Sequence, residues 1–318
     1  MNTIITLQTE PINGQVINPQ DMQPAAAYLN QLSPTGRRTQ QQALEVIAGM
    51  FGRGVDDMQW AGLRYSQALQ IKAALQERYS YSTANKFLSA LRGVLKQTFK
   101  LGLMTAEEYQ RAVMIENVKG ERIPAGRELT AAEIRAIMDN CQADITPAGV
   151  RDGALFAMLY TTGARREEIV KVFLSDYDQD TGKIIITGKR NKQRTVYINN
   201  GAADALADWL TIRGGEPGPV FLPIKKGGLI QYGNMMTPQA VYYMLQKRAT
   251  AAKVKDFSPH DLRRTFISNM LDAGADIAII AKIAGHASIT TTARYDRRPE
   301  EAKRKAAGLL HIPYKKRS

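Results

Sequence analysis

"KIIITGKRNKQRTVYINN", residues 183–200, carries the one clear β signal in the chain. Two β-branched runs, Lys183–Thr187 and Thr195–Ile198, flank a basic loop containing Gly188 and Asn191, which predicts a hairpin. Almost everything around it repeats at helical spacing. The fold class expected is therefore mainly α with a small β-sheet or hairpin.

Working outward, the segments after the hairpin predict helices around Ala202–Ile212, Pro238–Ala252, Ser258–Asp272 and Asp276–Ala284, with a short one beginning near Ser288. Before it, "LTAAEIRAIMDN" opens a helix with Thr130 as N-cap and Glu133 three residues on, a capping box. "KGERIPAGRELT", residues 119–130, is charged, holds proline and two glycines, and has little periodicity, so it reads as a linker. The expected division is a tail at 1–20, a helical domain at 21–118, a linker at 119–126 and a second domain at 127–318.

In the first domain, "TQQQALEVIAGMFG" places Leu44, Ile47 and Phe51 on one face. "STANKFLSALRGVLKQTFKLG" repeats Leu88, Leu91, Leu95 and Phe99, with Ser82 or Thr83 as cap and Gly102 past the end. Its opposite face carries Lys86, Ser89, Arg92, Lys96 and Lys100. Such a stripe is either a solvated face or a surface that lies in a major groove and touches phosphates. Solvated faces usually mix signs, and this one holds no acid.

Composition narrows the partner. The chain has 318 residues and is 44% hydrophobic, ample for real cores rather than disorder. Against 30 acidic residues stand 43 Lys and Arg, a net charge of +13 that favours a polyanionic partner, most often nucleic acid. The single cysteine, Cys141, excludes a disulfide framework and any multi-thiolate metal site. The N-terminus lacks the basic and apolar regions of a signal peptide, and no apolar run is long enough to span a bilayer. The expectation is a cytoplasmic protein without membrane association.

Three stretches could hold chemistry. In "SPHDLRRTF", residues 258–266, Ser258 caps a helix, Pro259 fits its first position, and His260 and Arg263 share a face near its N-terminus, where an anion is favoured. In "TTGARREEI", residues 161–169, Gly163 permits a sharp turn between helices, and the neighbouring acids can anchor Arg165. The hairpin loop holds Lys189, Arg190, Lys192 and Arg194 but lacks the G-x-x-x-x-G-K-[ST] pattern of a P-loop; these cations are either solvated or line a DNA backbone.

Together these pieces resemble the motifs of the tyrosine recombinase family, the phage integrases and the Cre- and Xer-like recombinases, in the family's order. "TTGARREEI" resembles T-G-x-R-x-x-E-[LI] and maps the arginine to Arg165. "TGKRNKQRTVYI" resembles G-K-x-N-K-x-R and maps a catalytic lysine to Lys189. "SPHDLRRTF" resembles H-x-L-R-H-T-F, giving His260 and Arg263, and "AGHASITTTARY" resembles L-G-H-x-x-x-x-T-T-x-x-Y, giving His286 and Tyr295. "FLSALRGVLKQTFKLG" is similar to the helix that grips DNA in this family. The resemblance covers roughly residues 22–310. Arg264 replaces a frequent second His and Ala284 a frequent Leu; neither maps to a catalytic role.

The resemblance implies a two-domain clamp on DNA and a transesterification in which Tyr295 attacks a phosphodiester, leaving a 3′-phosphotyrosine and a free 5′-hydroxyl. A phenol ionises near pH 10, so about 0.1% is ionised at neutral pH and the nucleophile needs help. Arg165 and Arg263 would clamp the non-bridging oxygens, with His286 adding a hydrogen bond. His260 would take or relay the tyrosine proton, and Lys189 would protonate the leaving oxygen. No metal or cofactor is implied. The partners implied are double-stranded DNA at inverted-repeat core sites and three further copies in a synaptic tetramer, with a monomer in free solution. The segment "GLLHIPY", residues 308–314, would dock on a neighbouring subunit, and the cellular setting would be the cytoplasmic nucleoid. The tail before residue 21 is expected to be too short for an arm-binding domain. A type IB topoisomerase-like relaxer and a DNA-binding regulator without chemistry are the alternatives. Dependence on paired sites separates the first, and indifference to Tyr295→Phe the second.

Overall fold

A computed structural model describes residues 23–120, 126–188, 191–293 and 295, with Ala307 and Pro313. The chain divides into two compact units, Met1–Ile123 and Pro124–Ser318.

The first unit is helical: α1 (Pro24–Asn30), α2 (Pro34–Gly49), α3 (Tyr65–Arg78), α4 (Tyr81–Lys100) and α5 (Ala106–Val113). α4 is the central element. Its Leu88, Leu91 and Leu95 are fully buried with Leu44 and Ile47 of α2 and Ile71 and Leu75 of α3. α4 begins earlier than expected, because Ser80 rather than Ser82 or Thr83 is the extended residue before the first turn, and its hydroxyl donates to Thr83 Oγ1 at 3.1 Å. Phe99 departs from the apolar face: it is 39% exposed and stacks on Tyr109 of α5 with centroids 5.1 Å apart. Phe51 is buried, but it follows the end of α2.

The second unit comprises α6 (Ala131–Ala143), α7 (Pro147–Thr162), α8 (Arg166–Ile169), β1 (Tyr177–Asp178), β2 (Lys183–Thr187), β3 (Gln193–Tyr197), α9 (Asn200–Arg213), α10 (Pro238–Ala251), α11 (Pro259–Asp272), α12 (Ile277–Ala284) and α13 (Ile289–Ala293). α7 reads as apolar nearly all round and is the buried axis of the core, with Ala154–Leu159 almost wholly covered. Thr130 and Glu133 form the capping box anticipated for α6.

The sheet is antiparallel in the order β1-β2-β3. Ile184 pairs with Val196 and Ile186 with Arg194, and Ile184, Ile186 and Val196 are buried, as period-two alternation requires. The second hairpin strand starts two residues earlier than its β-branched run, because Gly188 N–H bonds to the Lys192 carbonyl at 2.8 Å and closes the ladder there. β1 was not anticipated; two residues are too few to show a period.

Behind the core, Arg248 of α10 is buried and donates to Asp152 at 2.9 Å and Asp144 at 2.8 Å, tying α10 to α7 and to the end of α6. Cys141 lies beside this cluster. Burial first, and then the nearby carboxylates, push its thiol up to about 11 despite Arg248, so it is inert packing rather than a nucleophile. Among the described residues, no helix is long and apolar enough to cross a membrane.

Candidate active site

The site is assembled at helix ends. α7 terminates at Gly163, whose φ of +58° lies in the left-handed region. A side chain is also excluded here by space, since a Cβ would come 2.4 Å from the Phe266 ring of α11. The turn delivers Arg165 as the N-cap of α8. Its N–H and Nη1 donate to the two oxygens of Glu168, at 3.0 and 2.7 Å. Glu168 is buried and also receives Arg194 Nη2 at 2.7 Å. Burial works to raise its pKa, but the hydrogen bonds and charge from Arg194 and Arg165 win and hold it below the usual carboxylate range.

α11 supplies the next pair. Ser258 caps it in a box with Asp261, and Pro259 occupies the first helical position. Arg263, one turn in, is 3% exposed. Its Nη1 donates to the Gly163 carbonyl at 2.6 Å, whereas its Nη2 is buried without a partner among the described residues. Burial first, then the like charge of Arg165, lowers the Arg263 guanidinium to about 10, which leaves it charged at neutral pH. A buried charged donor close to the like charge of a second arginine suits an anion.

α12 ends at Gly285, also left-handed with φ +68°. The turn places His286, whose Nδ1 lies 2.8 Å from Thr292 Oγ1 of α13. Tyr295 follows, its ring stacked on His286 at 6.3 Å and its hydroxyl 3.3 Å from His260 Nε2. The guanidinium of Arg264 sits 5.7 Å over the Tyr295 ring. Both histidines are pushed toward the neutral form. Partial burial and then Arg263 pull His260 below its ordinary value, and the same two causes take His286 to about 4. Burial and the clustered arginines thus act in the same direction on both rings.

An open cleft of about 400 Å³ is lined by Arg165, Tyr242, His260 and Arg263 among others. The structure therefore brings together Arg165, His260, Arg263, His286 and Tyr295. Lys189 and Arg190 lie outside the described residues. The base of their loop adjoins the site: a Cβ on Gly188 would come 3.2 Å from Glu168 Oε1.

Tyr295 lies two residues beyond the end of α13 at Ala293. Two expectations change. Arg194 is turned inward with its side chain 12% exposed, bonded to Glu168 and, at 2.7 Å, to the Ile283 carbonyl. Ion pairing with a buried carboxylate outweighs solvation there, so it is not a free phosphate contact. In the first unit, Arg92 donates through Nη2 to the carbonyl of Ile115 and, at 3.0 Å through Nη1, to Asn117, so two of its donors hold the unit itself. Lys86, Ser89, Lys96 and Lys100 remain exposed along α4, and Lys192 is exposed at the hairpin. The role of Thr292, fully buried beneath His286, had a sequence signal in the paired threonines before Tyr295. Tyr242 had none.

Helix ends thus gather two arginines, two histidines and a tyrosine beside a cleft whose lining also includes Arg166 and Glu167, an arrangement that suits phosphoryl transfer. Residues 127–301 match the phage integrase family. The chain is 31% identical over 254 residues to a tyrosine recombinase of Synechococcus elongatus, covering 74% of this chain and 75% of that protein. It is 33% identical over 202 residues to tyrosine recombinase XerD of Rickettsia conorii, covering 59% of this chain and 64% of XerD, so the chain spans a little under two-thirds of that relative. The fold is similar to that of the Tn1549 transposon integrase in complex with transposon right end DNA, with a TM-score of 0.67 and 16% identity over 91% of this chain and 99% of that one. It is also similar to XerH bound to palindromic difH substrate, at 0.64 and 18% over 94% and 90%. The chain belongs to the phage integrase family, the tyrosine recombinases.

Proposed function

We propose that this protein is a site-specific DNA recombinase whose nucleophile is Tyr295. The observation that carries the reading is the Tyr295 hydroxyl 3.3 Å from a neutral His260, beside a cleft that holds Arg165 and the buried, unpartnered Nη2 of Arg263. His260 Nε2 accepts the phenolic proton as the Tyr295 oxygen bonds to phosphorus and the P–O5′ bond breaks. Arg165 and Arg263 hold the non-bridging oxygens as charge builds on them, and His286 adds a donor. Lys189 is the candidate to protonate the departing 5′-oxygen, and the hairpin base beside Glu168 supports its placement near the same phosphate. Return attack by a partner strand's 5′-hydroxyl reverses the chemistry, so the bond energy stays in the phosphotyrosine. The exposed lysines of α4 and Lys192 suit contacts to duplex backbone. A tetramer on two inverted-repeat sites is the assembly this chemistry needs for exchange; residues 308–312 and 314, in the segment expected to dock between subunits, lie outside the described residues.

The experiment uses nicked duplexes with a randomised inverted-repeat core. The protein is expected to capture a subset as SDS-resistant adducts, and Tyr295→Phe is expected to bind the same subset and form none. An adduct retained in Tyr295→Phe would assign the nucleophile elsewhere.

A further inference from the structure

Arg194 emerges from the hairpin strand β3 and reaches two separate parts of the site. Its Nη2 donates to Glu168 Oε2 at 2.7 Å, and Glu168 in turn holds Arg165 through both the backbone and the side chain. Its Nε donates to the Ile283 carbonyl at 2.7 Å, within the last turn of α12. The guanidinium also lies against Gly285, where a Cβ would meet Nη1 at 2.9 Å, Cζ at 3.1 Å and Nε at 3.2 Å. The residue after Gly285 is His286. One planar group therefore spans the anchor of Arg165 and the turn that aims His286, and its own strand begins where the loop of Lys189 ends.

We infer that Arg194 is a positioning residue that couples the Arg165 anchor to the His286 turn, rather than a contact to DNA. This rests on the functional reading above for what the site does, but not for the coupling itself. The physical case has three parts. First, the bond to Glu168 joins a side chain 12% exposed to one 5% exposed, where a charge-assisted pair is rigid and little screened. Second, a planar fork with donors on two edges fixes two acceptors at a set angle, which a lysine's point charge does not. Third, the left-handed Gly285 lets the guanidinium lie flat against backbone, so the turn's position follows the plane of Arg194. The strand β3 is then connected through Arg194 both to the Arg165 anchor and to the His286 turn.

The test compares Arg194→Met and Arg194→Lys with the parent in two measurements. In DNA-free protein, the ring signals of the three histidines are followed by NMR and assigned by single His→Gln substitutions. With nicked duplexes captured as described above, single-turnover adduct formation is measured at saturating DNA alongside the salt dependence of binding. Loss of the Arg194 charge alone shifts His286, so the discriminating signal is that of Arg194→Lys, which keeps the charge: coupling predicts that it too moves the His286 signal. For Arg194→Met coupling also predicts a fall in the saturated rate of roughly 10²-fold with binding and its salt slope unchanged, because a displacement of about 1 Å costs that much. Arg194→Lys, which keeps charge but loses the fork, falls in between, and it carries the comparison if the methionine variant unfolds. A DNA contact predicts the reverse: for Arg194→Met a salt slope about one unit shallower and a saturated rate like the parent's, and for Arg194→Lys an unmoved His286 signal, and that result overturns the inference. If the parent forms no adduct at all, the recombinase reading fails, while the histidine signals still decide the coupling.

Discussion

Gly163→Ala tests the link between one backbone turn and the chemistry. The residue sits at φ +58°, where any residue with a Cβ is strained by about 1–2 kcal/mol. The new Cβ would stand 2.4 Å from Phe266 Cδ1 and 2.8 Å from Cε1. The ring must retreat by about an ångström to reach ordinary contact, yet Phe266 is 4% exposed in a packed cluster with Ile267, Leu271 and Ile280. Overpacking of that kind costs about 1–3 kcal/mol. The total is about 2–5 kcal/mol on the second unit, a fall in its melting temperature of roughly 6–15 °C. The functional effect has a separate cause. The Gly163 carbonyl accepts Arg263 Nη1 at 2.6 Å and Arg165 follows two residues later, so relaxation of the turn displaces both arginines together. Single-turnover adduct formation should fall by ~10²-fold or more. Scanning calorimetry reads the first effect and the nicked-duplex assay the second. Adding Phe266→Leu should recover part of the stability by making room, but not the backbone strain. A Gly163→Ala protein that melts within 2 °C of the parent and cleaves at the parent's rate would refute the account.

Two further outcomes follow from charge. Cleavage should fail in acid with a limb below pH 6.5, because His260 acts as a base only when neutral and its pKa is lowered in the folded protein. Stability should follow the same direction. The contribution from His286 is complete above the unfolded value of 6.5 and is lost as pH falls through about 4, with Glu168 adding a further loss as it protonates; urea titrations at stepped pH read this. On α4, Lys86→Gln, Lys96→Gln and Lys100→Gln should each reduce the salt slope of DNA binding by about one. Arg92→Gln should instead destabilise the first unit, since its donors hold Ile115 and Asn117.

Most of the architecture was legible because it rests on local rules. The caps at Thr130 and Ser258, the left-handed glycines 163 and 285, and the alternation of Ile184 and Ile186 are all spelled out within a few residues. What stayed hidden depends on partners distant in sequence. Arg194 looks like one more loop cation until Glu168, 26 residues earlier, and Ile283, 89 residues later, are seen on either side of it. Arg92 misleads in the same way, since a helical wheel shows its face but not the chain that returns over it at Ile115. Phe99 keeps the helical period yet lies outside the core, because α5 offers it a stacking partner at the surface. Periodicity reports which side of an element a residue occupies; it does not report what arrives there.

The allocation of acids explains how so much positive charge is kept useful. Three arginines, 165, 194 and 263, converge near the cleft, and the buried carboxylate among them, Glu168, is committed to Arg165 and Arg194. Asp261, the acid nearest His260 in sequence, is likewise occupied: it accepts from Ser258 N–H at 2.8 Å, the Ser258 hydroxyl at 2.7 Å and Arg127 N–H at 2.9 Å. Its pull on His260 is outweighed by burial and by Arg263 and Arg264. Were either carboxylate turned toward the phosphate, it would neutralise an arginine needed for the transition state and raise the histidine that must stay unprotonated. With both acids spent on backbone and anchor, Arg263 Nη2 keeps a donor to give, and under the proposed function that donor serves the phosphate. Under the proposed function, the arginines that would bind the anion add to burial in favouring a neutral base next to Tyr295, so phosphate recognition and proton acceptance draw on one charge arrangement.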